Sequence, residues 1–268
     1  MVNDQHMRSS FLCAALAAAA LLFTANSCGN GKQLPGQPVN SYKPVMGAYT
    51  TVDTSCPEVS GLCLAPDGNG LLAASDENGV YRISFSGETT PLYVETRGLD
   101  CEGVTADPET GDVYFVVERR QELRRLRAPE YKESELLTTI TDVGYRTNSG
   151  LEAITWLGDG TLLLGNQDKP RLLIRYSLTE GITGRTEIQE GIKDISDLCY
   201  DPVRKALWIA DSELRTINLC TLEGKVLATY PVPFIDNGEG LCVDHARQCI
   251  WVGDDTTNKL YRIQFDQL

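Results

Sequence analysis

The 268-residue chain carries 37 Asp and Glu against 24 Lys and Arg, a formal net charge of −13. That balance argues against a nucleic-acid partner, because phosphate binding needs a basic surface. The sequence has only two histidines and neither a Walker-type loop nor a dinucleotide fingerprint.

Residues 1–28 read as a lipoprotein-type signal peptide. Arg8 precedes an apolar run over 11–23 that is short for a membrane span. Thr24-Ala25-Asn26-Ser27-Cys28 follows, with small residues before a cysteine that would take the lipid. Ordinary signal cleavage near the same place is the alternative. Lipid on Cys28 would be the only membrane contact and would place the protein in the cell envelope, in the periplasm or at the outer-membrane surface. Residues 29–44 are rich in Gly, Pro, Asn, Gln and Ser and read as a flexible tether. Residues 45–268 suffice for one all-β domain, expected to be a monomer.

A motif recurs five times in that domain. It reads Glu58-Val59-Ser60-Gly61-Leu62, Asp100-Cys101-Glu102-Gly103-Val104, Gly150-Leu151-Glu152-Ala153-Ile154, Asp194-Ile195-Ser196-Asp197-Leu198 and Asn237-Gly238-Glu239-Gly240-Leu241. Its central residues step by 42, 50, 44 and 43 positions, the length of a four-stranded propeller blade. A short apolar strand, a turn built from Asp, Pro and Gly, and a second apolar strand ending in a polar group follow each motif. Those ends are Ser75-Asp76, Val117-Glu118, Asn166-Gln167, Ala210-Asp211 and Gly253-Asp254-Asp255. Third strands are expected at 80–83, 123–126, 172–176, 214–217 and 260–263. The last repeat lacks a fourth strand, and residues 47–52 are expected to supply it and close the ring. The fold class is therefore an all-β propeller of five blades. Six is the alternative, if residues 118–150 hide an irregular blade.

Hairpin geometry brings the first motif and the end of the second strand to one mouth of the channel, and the turns to the other. The acidic mouth collects the candidate cation or ligand contacts. Glu102 and Glu239 lead, Glu152 is third, and Glu58, Asp100, Asp76, Glu118, Asp194, Asp211 and Asp254 complete the set. So many carboxylates repel unless a cation, raised pKa values or a cationic ligand neutralises them. Oxygen donors without histidine suit calcium or magnesium, and calcium is the expected ion. Hydrogen bonds from these acids to the next blade would be the purely structural use. His245 lies in a turn, roughly 20 Å from that mouth along its strand, too far to serve a nucleophile there. Of the nine cysteines, Cys242 and Cys249 flank a short turn and could pair, whereas Cys63, Cys199 and Cys242 each follow a Leu and suit small buried positions.

The succession Glu58-Val59-Ser60-Gly61-Leu62, Ser75-Asp76-Glu77, Leu99-Asp100-Cys101-Glu102-Gly103, Val117-Glu118-Arg119, Gly150-Leu151-Glu152, Asp194-Ile195-Ser196-Asp197-Leu198 and Gly238-Glu239-Gly240-Leu241 resembles the SdiA-regulated (YjiK-like) propeller proteins over about residues 47–265. It departs from their pattern at Ala153 and Asp197, where Gly is usual, and at Gln167, where an acid is common. The resemblance implies an envelope-associated propeller and no particular reaction. More distantly, the chain is similar to esterase-like phytase propellers and lactonase-type calcium propellers. Two functional readings follow. One is a binding module with an acidic, calcium-holding mouth, taking an unknown small ligand or protein. The other is a metal-dependent hydrolase of a phosphate ester or lactone, with a carboxylate as base and the cation as electrophile.

Overall fold

The apolar runs of the repeats are strands, and they hydrogen-bond in groups of four. The computed structural model describes residues 44–95, 98–141, 143 and 149–268. The expected signal peptide, the lipid acceptor Cys28 and the tether up to residue 43 lie outside them.

The chain opens on β1 (Val45–Asp53). Blade 1 is β2 (Val59–Leu64), β3 (Leu71–Ser75), β4 (Gly79–Ile83) and β5 (Thr89–Val94). Blade 2 is β6 (Cys101–Ala106), β7 (Val113–Val117), β8 (Glu122–Leu126) and β9 (Ser134–Thr139). Blade 3 is β10 (Leu151–Gly158), β11 (Thr161–Asn166), β12 (Leu172–Ser177) and β13 (Gly181–Glu187). Blade 4 is β14 (Asp197–Asp201), β15 (Ala206–Asp211), β16 (Thr216–Cys220) and β17 (Val226–Pro231). Blade 5 is β18 (Gly238–Asp244), β19 (Cys249–Asp254) and β20 (Lys259–Asp266), with β1 as its outer strand. All neighbouring strands are antiparallel, so the protein is a five-bladed propeller. Residues 118–150 hold β8 and β9 and, among the described residues, no further strand.

β1 runs antiparallel to β20, pairing Val45 with Asp266 and Asp53 with Lys259. Both ends of the described chain thus meet in one blade, which gives the edge of β20 a partner. Tyr49 of β1 stacks on Phe234 at 3.9 Å between ring centroids.

The core lies between the blades. The apolar side chains of each blade alternate in direction, so each face packs on the neighbouring blade. Five clusters result, one at each of the five interfaces. Trp208 and Phe265 fill the interface of blades 4 and 5, for example, and Trp251 and Leu62 that of blades 5 and 1.

Two sequence expectations need correction. The third strand of blade 4 begins at Thr216, not Leu214. Asp211 accepts the Leu214 N–H at 2.8 Å and holds residues 211–214 in a turn, which leaves Leu214 exposed. Cys242 and Cys249 do not pair, because Cys242 stands opposite Trp251 and Cys249 opposite Asp244 in the ladder. The seven described cysteines are all free thiols.

Candidate functional site

The inner strand of each blade starts at one mouth, and its neighbour ends there. Val59 pairs with Ser75, Cys101 with Val117, Leu151 with Asn166 and Gly238 with Asp254. In these four blades the ladder slips at the motif, between Val59 and Gly61, Cys101 and Val104, Leu151 and Ala153, and Gly238 and Gly240. A β-bulge removes its extra residue from regular pairing and re-aims its side chain. The residues so placed include Ser60, Glu102, Glu152 and Glu239. Blade 4 runs straight, with Asp197 opposite Ala210.

The bulges leave little room between blades. A Cβ on Gly61 would strike the Glu102 carbonyl oxygen, and one on Gly103 would lie 2.8 Å from the Glu152 carbonyl oxygen. Closing a ring with so few blades therefore demands glycine at these points.

Seven expected acids gather at this mouth. Glu58 and Asp76, with Asp255, each bring a carboxylate oxygen within 4.8 Å of the other two. Asp100, Glu102 and Glu118 do the same and are buried. Burial, then repulsion from Glu239, Asp100, Asp76 and Glu118, pushes the Glu102 carboxyl well above its ordinary range. Burial and the Glu102 and Glu118 charges push Glu152 the same way. Glu239 rises to about 8 through burial and the Asp255 charge, although the Asn237 amide donates to it at 2.9 Å. Asp76 also rises to about 8, through burial, then because its protonated form can donate a hydrogen bond to Glu58, and through repulsion from Glu58. Among the described residues, the cation found against this group is Arg119, whose Nε lies 3.1 Å from Asp100 Oδ2 at the exposed rim.

The other expected acids are committed elsewhere. Asp194 accepts hydroxyl hydrogen bonds from Ser196 and Ser212, both at 2.7 Å. Asp211 accepts the Lys193 and Leu214 N–H groups, and Asp254 those of Asp236 and Thr256. These last two cap turns. Asp255, absent from the leading candidates, takes a place that Asp254 was expected to fill.

Asp197 stands where the other inner strands carry Gly or Ala, and it is fully buried. Its Oδ2 accepts the N–H of Leu241 at 2.7 Å and of Leu62 at 3.1 Å, and its Oδ1 that of Leu198 at 2.8 Å. Burial pushes this carboxyl up while the three amides pull it down. It bridges blades 4, 5 and 1 below the acidic mouth.

The opposite mouth differs in chemistry. A cavity of about 730 Å³ opens among the turns, with Cys63, Thr105, Thr155, Cys199 and Cys242 in its lining. His245 is at this end, as expected, with its Nε2 2.9 Å from Asp201 Oδ1. Reading the sequence missed the cavity. Its signal was the small residue two places after each motif glycine or its equivalent.

Among solved structures, the chain is similar to Myxococcus xanthus glutaminyl cyclase, at 12% identity and a TM-score of 0.65, covering 84% of this chain and 98% of that one. It is also similar to a chain of a nidogen/laminin complex, at 12% identity, a TM-score of 0.53 and coverage of 78% and 84%. An auxiliary nutrient binding protein from Bacteroides thetaiotaomicron matches at 18% identity and a TM-score of 0.51, over 77% of this chain and 59% of that one. At these identities the likeness is one of fold. No curated protein matches the chain. From the outer strand of blade 3 to the C-terminus, residues 179–268 match the SdiA-regulated family.

Proposed function

We propose that this propeller is a binding module whose acidic mouth holds a hard divalent cation, calcium by preference. One observation carries the reading. Asp76 Oδ1 and Asp255 Oδ1 are both buried from solvent without a hydrogen-bond partner, and Glu58 is the third member of their cluster. Unpaired buried carboxylate oxygens are costly. An ion with six to eight oxygen ligands at 2.3–2.6 Å would satisfy them. Glu102, Glu118 and Asp100 form a second, deeper set of donors that could complete the shell or meet a ligand's cationic group. Lipid on Cys28 would hold the module at the envelope, and a small ligand or protein would approach the exposed rim.

The test is calcium titrated by isothermal calorimetry into protein stripped with chelator. Saturable binding is expected, and Asp76→Asn with Asp255→Asn should remove it. Absence of binding heat, or binding unchanged in the double variant, would contradict the assignment.

One feature favours a second reading. Asp76 and Glu239, both held near about 8, could exchange protons at neutral pH. Calcium-dependent turnover of a phosphate ester or lactone, abolished by Glu239→Gln, would support hydrolysis over binding alone.

A further inference from the structure

We infer that the turn mouth is a second binding site, separate from the acidic mouth, for an uncharged and largely apolar small molecule containing a ring. The cavity of about 730 Å³ falls in the size range of small-molecule pockets.

Its floor is built by the repeat. Cys63, Thr105, Thr155, Cys199 and Cys242 stand two residues past Gly61, Gly103, Ala153, Asp197 and Gly240. All five line the cavity. Three of them also latch one blade to the next. Thr105 Oγ1 accepts the Trp156 N–H at 3.0 Å, Thr155 Oγ1 the Tyr200 N–H at 2.9 Å, and Cys199 Sγ the Val243 N–H at 3.3 Å. Thus much of the polar capacity of the floor is already used, and what it offers a ligand is small, soft and neutral. Burial pushes the thiols of Cys63, Cys199 and Cys242 up, which keeps them uncharged. Asp197 lies two residues nearer the acidic mouth and ties the inner strands of blades 4, 5 and 1 between the two ends.

The wall supplies aromatic surface. Trp156 and Tyr200 line the cavity and are half-buried, so part of each ring stays available. Trp156 is held by stacking on Tyr114 at 5.6 Å between centroids. A fixed aromatic face favours a flat or ring-shaped apolar partner.

The cations around the cavity are matched within the protein. His245 pairs with Asp201 at 2.9 Å, and Arg247 with Asp244 at 3.0 Å while its guanidinium covers the Phe85 ring at 3.7 Å. Asp107 accepts from the Glu109 amide at 2.9 Å and the Thr110 hydroxyl at 2.7 Å. Glu109 and Asp159 stand exposed on the turns. An anion would gain no free counter-charge here, and a cation could meet Glu109 and Asp159 only at the solvent edge of the turns, so the floor of the cavity selects a neutral ligand.

The probe for the test is N-phenyl-1-naphthylamine, a neutral aromatic amine whose emission rises in apolar surroundings. Added to the purified protein, it should bind saturably with one-to-one stoichiometry. Bound probe should slow hydroxyl-radical oxidation of Cys63 and Cys199, the half-buried thiols of the floor, a reaction that does not need the thiolate, as mapped by peptide mass spectrometry. Stripping calcium from the far mouth should leave this binding unchanged. Trp156→Ala should weaken it roughly tenfold. If that variant fails to fold, the protection pattern in the wild-type protein still decides. No saturable binding, or binding that leaves both thiols oxidised at the same rate, would overturn the inference.

Discussion

Asp197 Oδ2 accepts the backbone N–H of Leu62 at 3.1 Å, although 135 positions separate them in sequence. The same oxygen takes the Leu241 N–H, so one side chain joins the first, fourth and fifth blades at the channel. Inner-strand amides in a propeller face the channel and need partners there. Asp197→Ala leaves the Leu62 and Leu241 amides without theirs. Stability should fall by about 2–4 kcal/mol, from the cost of unmade buried hydrogen bonds. Denaturant unfolding of the two proteins measures it, and a change no larger than that of a surface substitution would deny Asp197 this role.

The raised carboxyls at the acidic mouth set a pH dependence. Asp76 and Glu239 titrate at about 8 in the folded protein against 3.8 and 4.5 for the free side chains. The folded state therefore holds more protons, and the stability this gives is fully present below about pH 4. It is lost as pH rises through about 8. Calcium-free protein should melt at progressively lower temperature from pH 5 to pH 9, and calcium should flatten the decline. Binding near pH 7 should also release protons, visible as a calorimetric heat that depends on the buffer's ionisation enthalpy.

The pair at the other mouth has a dependence of its own. Against the burial that pushes it up, His245, the Arg204 amide and Trp208 hold Asp201 down to about 2. The Asp201 hydrogen bond in turn raises His245 above 6.5. Stability from the raised imidazole is fully present below pH 6.5 and lost as pH climbs through its folded value. His245→Asn should consequently cost more stability at pH 5.5 than at pH 9, by thermal unfolding at both values. An equal cost would show that the charged pair contributes nothing.

Much of the fold was legible because each blade repeats one solution. The motif spacing, the Asp, Pro and Gly turns and the missing outer strand of the last repeat fixed the blade number and the closure by β1. The start of β16 was not legible, since Leu214 suits a strand and only the Asp211 hydrogen bond places it in a turn. Asp254 and Asp255 are adjacent acids at a strand end, and composition cannot separate the turn cap from the clustered group. The β-bulges that position Glu102, Glu152 and Glu239 depend on pairing register, which the motif alone does not encode. The cavity escaped notice because Cys63, Cys199 and Cys242 read equally well as small core residues.

Thermal unfolding in calcium and then in chelator tests the central claim most directly. An ion that binds only the folded state raises the melting temperature by mass action. At calcium a hundredfold above its dissociation constant, the midpoint should rise by roughly 5–10 °C, with no rise in the Asp76→Asn, Asp255→Asn protein. Identical midpoints with and without calcium in the wild-type protein would contradict a cation at the acidic mouth.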